Sequence, residues 1–152
     1  MKRSLVFLAA YLLIAPVSRI IASDFNTKPD SLRKAADICF ARHEYKNAAA
    51  IYDRLFKADS TDSVLASLLG SCLMREGDYE KAAGLFTRAL NQNPEARLCQ
   101  LGLVECYYQQ GRIKEASRWA EKIRGAIKGA QLADWDRLVE QKYPLIIKLE
   151  KK

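Results

Sequence analysis

Apolar residues recur between residues 29 and 130 at intervals of three, four and seven, which is the spacing of amphipathic helices. Polar and glycine residues interrupt this spacing at regular points and divide the stretch into short segments. The predicted helices are 30–42, 45–58, 63–76, 79–92, 96–110 and 113–126. The pattern therefore predicts an all-α fold made of helical hairpins.

The pattern of apolar and small residues also repeats every 34 residues without a gap. The middle unit shows it most clearly, at Leu69, Gly70, Tyr79, Ala82, Phe86, Ala89 and Pro94. Three units result: 29–62, 63–96 and 97–130. Because a single helical hairpin cannot cover its own apolar face, each unit is expected to stack on the next.

The residues between the predicted helices agree with this division. Three aspartates are candidates for N-terminal caps: Asp30, Asp62 and Asp78. Gly77 and Gly111 suit the left-handed conformation that ends the first helix of a hairpin. His43 occupies the same turn of the first unit, and histidine is one of the residues that tolerates a positive φ.

On these residues the middle unit resembles a tetratricopeptide repeat, with all seven positions of matching type in the same order. The flanking units are looser, since His43 stands where glycine is usual and Ala120 replaces a large aromatic residue. The resemblance covers about residues 29–128. It implies a right-handed α-solenoid of three hairpins plus a C-terminal capping helix, and a non-catalytic role in binding a protein or peptide.

The segment 131–152 is predicted to form the capping helix and a tail. The sequence around Trp135 resembles the start of a fourth first helix, shifted by one residue, and predicts a helix over 132–143. Pro144 interrupts any long continuation, and no second helix is expected after it. The apolar residues 145–147 are expected to continue the helix past a kink, to dock elsewhere, or to mediate self-association.

The resemblance implies that the first helices of the hairpins line a concave groove. The predicted groove residues are Phe40, Met74, Tyr108, Leu68, Leu101, Arg33 and Tyr143. An apolar groove of this kind would hold an extended or helical segment of a partner. The alternative is that some of these side chains pack against neighbouring helices or a terminal tail. Of the positions that clamp acidic chaperone tails in the family, only Arg33 matches, so such tails are not the expected partner.

The four cysteines are interpreted as small buried packing residues. Cys72 and Cys106 are 34 residues apart and therefore occupy the same position in successive units. A disulfide between adjacent units, such as Cys39 with Cys72, is the alternative. The sequence has no C-x-x-C, no histidine pair and no nucleophile or phosphate-loop motif, so no metal, cofactor or enzyme activity is expected.

Residues 1–22 have the layout of a secretory signal peptide: a basic start, an apolar stretch and small residues at the end. This predicts export, to a bacterial periplasm, with 23–28 as a linker to the repeats. The alternative is a short anchor that stays uncleaved and tethers the chain to the inner membrane as a structural subunit of an envelope assembly.

The formal charge of the whole chain is +7, which suggests a polyanionic partner. Loss of Lys2, Arg3 and Arg19 with the leader leaves 22 basic against 18 acidic residues, or +4. Nucleic-acid binding needs a concentrated basic surface, so it is not expected. The sequence as a whole predicts a protein-binding adaptor or scaffold of the cell envelope.

Overall fold

The computed structural model describes residues 28–150, so the predicted leader and nearly all of the predicted linker lie outside the described residues. Within this range the chain forms eight helices and no strand: α1 (Pro29–Ala41), α2 (Tyr45–Ala58), α3 (Ser63–Arg75), α4 (Tyr79–Gln92), α5 (Arg97–Gln109), α6 (Ile113–Ala126), α7 (Ala130–Lys142) and α8 (Pro144–Glu150). The first six agree with the predicted helices to within one residue at each end. None of the eight is long and apolar enough to cross a bilayer.

The helices pack in chain order as a stack of antiparallel hairpins. Each helix from α1 to α6 contacts the next one, and α3 also contacts α5, the first helix of the following unit. These contacts confirm the predicted all-α solenoid of three helical hairpins. The first helices of the second and third units, α3 and α5, therefore lie side by side along one face of the stack.

The turns inside the hairpins confirm the interpretation of their glycines and histidine. Gly77 and Gly111 have φ values of 83° and 73°, and His43 takes the same left-handed conformation with a φ of 62°. The imidazole Nδ1 of His43 lies 2.7 Å from the hydroxyl of Tyr45. His43 is exposed and shapes the turn of the first hairpin.

Two of the three predicted caps are present. A carboxylate oxygen of Asp62 accepts hydrogen bonds from the backbone N–H groups of Val64 and Leu65, at 2.8 and 3.0 Å. Asp78 accepts one from the N–H of Lys81 at 3.4 Å. The prediction for Asp30 was wrong, because α1 already begins at Pro29 and its N-cap residue is Lys28. Proline suits the first helical position, since its φ is preset and it has no N–H to satisfy.

Phe86 of α4 is the central packing residue of the middle unit. Its side chain is buried and lies against the helix backbone at Gly70 in α3 and at Gly102 in α5. Tyr52 is buried at the equivalent position of the first unit. The third unit has Ala120 there, and a cavity of about 510 Å³, lined also by Trp135, adjoins it.

All four cysteines are buried, as the packing interpretation predicts. Cys72, Cys99 and Cys106 have no solvent exposure and Cys39 very little, and all four thiols are free in the structure. Burial raises the pKa of Cys72 and of Cys99 to about 11 and, with a smaller effect of Glu105, that of Cys106 to about 12. These thiols therefore stay protonated at neutral pH.

The carboxyl terminus differs from its prediction. The cap, α7, runs from 130 to 142, and a second short helix, α8, does follow it after a single residue, Tyr143. Pro144 starts this helix, so it changes the chain direction without ending helical structure. The side chain of Ile146 is buried in the core beneath α6 and α7, whereas Leu145 is 46% exposed. Docking of α8 thus uses Ile146 internally, and self-association through residues 145–147 stays a prediction.

Candidate functional site

Residues from all the first helices and from the cap line two adjoining cavities, of about 440 and 400 Å³. The two cavities share Ser71, Met74, Glu105 and Lys142, so they form one continuous depression. We call this depression the concave groove. Its floor is supplied by α3 and α5, whose regular 34-residue spacing places equivalent residues side by side.

The end of the concave groove near α1 has mixed polarity. Phe40, Met74 and Tyr79 supply the apolar lining, and Arg75 supplies a positive charge. The ring of Phe40 packs edge-on against that of Tyr45, with centroids 5.3 Å apart. Phe40 and Met74 are both half-buried, so each can contact a bound segment with part of its side chain.

The other end of the concave groove is apolar. Leu68, Leu98, Leu101 and Leu138 line it, and Leu98 and Leu138 expose 56% and 40% of their surface. A further cavity of about 450 Å³ shares Leu101 and Leu138 and continues this apolar surface towards Ile127. Exposed leucines grouped in this way mark a surface suited to another apolar side chain.

The predicted groove residues fall into two groups. Phe40, Leu68, Met74 and Leu101 line the concave groove and keep part of their surface exposed. The other three are placed differently: Tyr108, Tyr143 and Arg33.

Tyr143 lines the groove wall but is only 3% exposed, because its ring packs edge-on against Tyr108 with centroids 5.1 Å apart. Tyr108 therefore packs against a residue of the groove wall and does not itself line the groove. Arg33 lines neither cavity. Its charge lies near Tyr52, whose pKa is raised by burial and by its hydrogen bond to Asp37 and is slightly lowered by Arg33.

Glu105 organises the polar part of the groove. Its Oε2 accepts a hydrogen bond from the hydroxyl of Tyr143 at 2.8 Å and pairs with Lys142 Nζ at 2.6 Å. Gln109 donates to Oε1 at 2.8 Å. Burial opposes ionisation of Glu105, but these donors outweigh it and lower the pKa of the carboxyl. Because the carboxylate has three donors and the side chain is 18% exposed, it fixes the cap to the third unit.

Several groove residues were missed by sequence reasoning. Leu98 precedes Leu101 by one helical turn and lies 34 residues after the exposed Val64, so the repeat period could have indicated it. Leu138 and Lys142 could not be placed in the same way, because the cap departs from the 34-residue register. Leu138 lines the concave groove together with Leu98 and Leu101 of the third unit.

The fold and the groove define the class of this protein as a tetratricopeptide repeat domain. Residues 41–123 match the family described as Anaphase-promoting complex, cyclosome, subunit 3. This match spans more than half of the chain, and the chain belongs to that family of tetratricopeptide repeat proteins. No curated protein sequence matches the chain.

Three solved structures illustrate the likeness of the fold. The Yersinia enterocolitica type III secretion chaperone SycD, in complex with a peptide of the translocator YopD, has a TM-score of 0.71 at 20% identity, over 85% of this chain and 100% of that one. The Sgt2 domain of Aspergillus fumigatus has a TM-score of 0.68 at 20% identity, over 82% of each chain. The second such domain of human RPAP3, in complex with an HSP70 peptide, has a TM-score of 0.63 at 17% identity, over 82% and 100%. At this level of identity the likeness establishes the fold.

Proposed function

We propose that this chain binds a segment of a partner protein in the concave groove and holds it without performing chemistry on it. The observation that carries the proposal is the row of exposed and half-buried leucines, Leu98, Leu101 and Leu138, that lines the concave groove. Burial of leucine side chains against a partner is favourable by about 25 cal/mol per Å² of apolar surface removed from water.

The structural neighbours support a peptide as the kind of partner. Two of the three were solved with a peptide, one from a translocator and one from HSP70. The tetratricopeptide fold presents a concave surface of rigid helices, and a bound segment therefore costs the domain little ordering entropy.

The arrangement of reactive side chains supports a non-catalytic role. The chain has a single histidine, His43, which lies in an exposed turn between α1 and α2. The cysteine thiols are buried with raised pKa values, the opposite of the exposed thiolate that a nucleophile requires. Neither residue type lines the concave groove, whose polar groups are the Glu105 cluster, two serines, Arg75 and Tyr79.

The proposal includes export to the cell envelope, which is supported by the sequence of residues 1–22. Fractionation of the native cells followed by intact-mass measurement tests it. A mature protein found in the envelope that begins after Ala22 or Ser23 is the expected result, and a cytoplasmic protein that begins at Met1 would contradict it. An envelope protein that retains residues 1–22 would support the anchored alternative instead.

Site-specific photo-crosslinking tests the groove itself. A benzoylphenylalanine at position 101 lies in the concave groove, and the same residue at the exposed position 54 of α2 lies outside it. Irradiation of cells is expected to join a discrete partner to the chain from position 101 and not from position 54. Cross-links that arise equally from both positions, or only from position 54, would contradict the proposal.

A further inference from the structure

Arg75 is a free positive charge at one end of the concave groove. It is the last residue of α3, is exposed, and lines the same cavity as Phe40, Met74 and Tyr79. Among residues 28–148, whose side chains the structure describes, no carboxylate forms an ion pair with its guanidinium.

The other charges that face this cavity neutralise each other. Glu105 of α5 and Lys142 of α7 are 2.6 Å apart, while α1 and α4 contribute only Phe40 and Tyr79. The acidic neighbours of Arg75 along the chain are also engaged elsewhere. Glu76 pairs with Lys46 at 3.7 Å, and Asp78 pairs with Lys81. The α1 end of the groove therefore carries one uncompensated positive charge.

The groove thus has two chemically different ends joined by shared walls. Leucines line the end near the cap, and Arg75 stands at the end near α1. A segment that lies along the groove must pass from one environment to the other. A guanidinium beside a partly enclosed apolar surface favours a carboxylate, because its planar donors match the two oxygens and the surroundings screen the pair less than bulk water does.

We propose that the partner segment carries apolar side chains that occupy the leucine end and an aspartate, glutamate or terminal carboxylate that meets Arg75. This inference rests on the proposed function and gives the bound segment a direction. It concerns a residue outside the positions that correspond to the family's clamp for acidic chaperone tails, which hold Arg33, Ser67, Leu101, Asp37, Ser71 and Glu105. The groove thus selects an apolar segment with a single acidic residue at one end and no run of acidic residues.

Selection from a displayed library of random dodecapeptides tests this, with the mature chain as bait. The wild-type protein is expected to enrich peptides with leucine, methionine or phenylalanine near the centre and an acidic residue towards one end. Arg75→Glu should replace the acidic residue by a basic one, and Arg75→Gln should remove the preference altogether. Arg54→Glu, an exposed charge change on α2, is the matched control and should leave the preference unchanged.

The affinity of one selected peptide, labelled with fluorescein, is then measured for each variant. Arg75→Glu is expected to weaken binding about threefold to tenfold at low ionic strength and less at high salt, with an unchanged circular dichroism spectrum. Enrichment of apolar peptides with no acidic preference, or the same preference in Arg75→Glu, would overturn the inference and leave the proposed function standing. If the double variant Leu98→Asp, Leu138→Asp enriches the same peptides as wild type, the groove is not the site and both proposals fail.

Discussion

The ring of Phe86 lies so close to the backbone of Gly102 that a β-carbon on Gly102 would overlap it. The two residues belong to successive units, α4 of the second hairpin and α5 of the third. Their contact therefore holds one hairpin against the next. It also sets the distance between α3 and α5, which supply the floor of the concave groove.

This contact predicts opposite effects for two glycine-to-alanine substitutions. Gly102→Ala is expected to destabilise the protein by about 1–3 kcal/mol, because the added methyl group must displace the ring of Phe86. Gly84→Ala, on the exposed face of α4, meets no atom within 4 Å and should stabilise it by up to about 1 kcal/mol through helix propensity. Urea unfolding measures both. Equal changes in the midpoint would contradict the packing role of Gly102.

Removal of the exposed leucines should separate binding from stability. Leu98→Asp combined with Leu138→Asp places charge in the apolar end of the concave groove and should weaken partner binding at least about tenfold. The melting temperature should change little, because neither side chain is buried. The double variant Phe40→Ala, Tyr108→Ala separates binding from stability less well, because the ring of Tyr108 packs against the buried ring of Tyr143. A parallel loss of helicity in the leucine variant would show that these residues are structural.

The Glu105 cluster predicts a dependence of stability on pH. The folded state holds the pKa of Glu105 below its unfolded value of about 4.3, so the stabilisation is present above that pH and disappears as the pH falls through the folded pKa. Glu105→Gln should therefore cost about 1 kcal/mol at pH 7 and progressively less as the pH falls through the folded pKa. Glu95→Gln, at an exposed site, is the control and should show no such difference. A cost for Glu105→Gln that persists unchanged at low pH would contradict the role of the ionised carboxylate.

The two neighbouring apolar residues of α8 should respond very differently to substitution. Ile146→Asp puts a carboxylate into the core between α6 and α7 and should cost at least about 3 kcal/mol. Leu145→Asp, one residue earlier and 46% exposed, should remain within about 0.5 kcal/mol of wild type. Thermal unfolding distinguishes the two. If Leu145→Asp proved as damaging as Ile146→Asp, the placement of α8 would be wrong.

The cysteines should react slowly in the folded protein. Their thiols are buried and their pKa values are raised, so a thiol reagent at pH 8 should label them only as the protein unfolds. In denaturant, all four should react without prior reduction. Fewer than four reactive groups in the denatured protein would reveal a disulfide and contradict the packing interpretation.

The parts of the fold that lie inside the repeat register could be predicted closely. The 34-residue period compares each residue with two others, so the turn at His43 could be recognised from Gly77 and Gly111 although histidine is an unusual residue there. The burial of Cys72 and Cys106 followed from the same comparison. Each repeat position can be compared in three units, so one unusual residue, such as Ala120, does not prevent recognition of the repeat.

The cap and the charges of the groove could not be predicted, because nothing in the sequence repeats them. The position of Lys142 beside Glu105 depends on how far α7 is rotated against α5, which is set by packing around Trp135 and Tyr143. Arg75 ends α3, and in the sequence it is indistinguishable from a solvated surface charge. The structure places it in the lining of a cavity with Phe40 of α1 and Lys142 of α7, which are far from it in the sequence. Sequence periodicity identifies which face of a helix is buried. The structure is needed to show which residues of other helices contact that face.

The single residue between α7 and α8 has a consequence for how this protein can evolve. Earlier hairpins turn over three residues with a left-handed conformation, which leaves the second helix free to run its full fourteen residues. Here Tyr143 is anchored on Glu105 and Pro144 follows at once, so the chain folds back too tightly for another hairpin of the same shape. We therefore expect a duplicated hairpin to be accommodated upstream of Ala130, where the 34-residue register holds. The contact between Tyr143 and Glu105 would then still join the cap to the last unit, whatever the number of units before it.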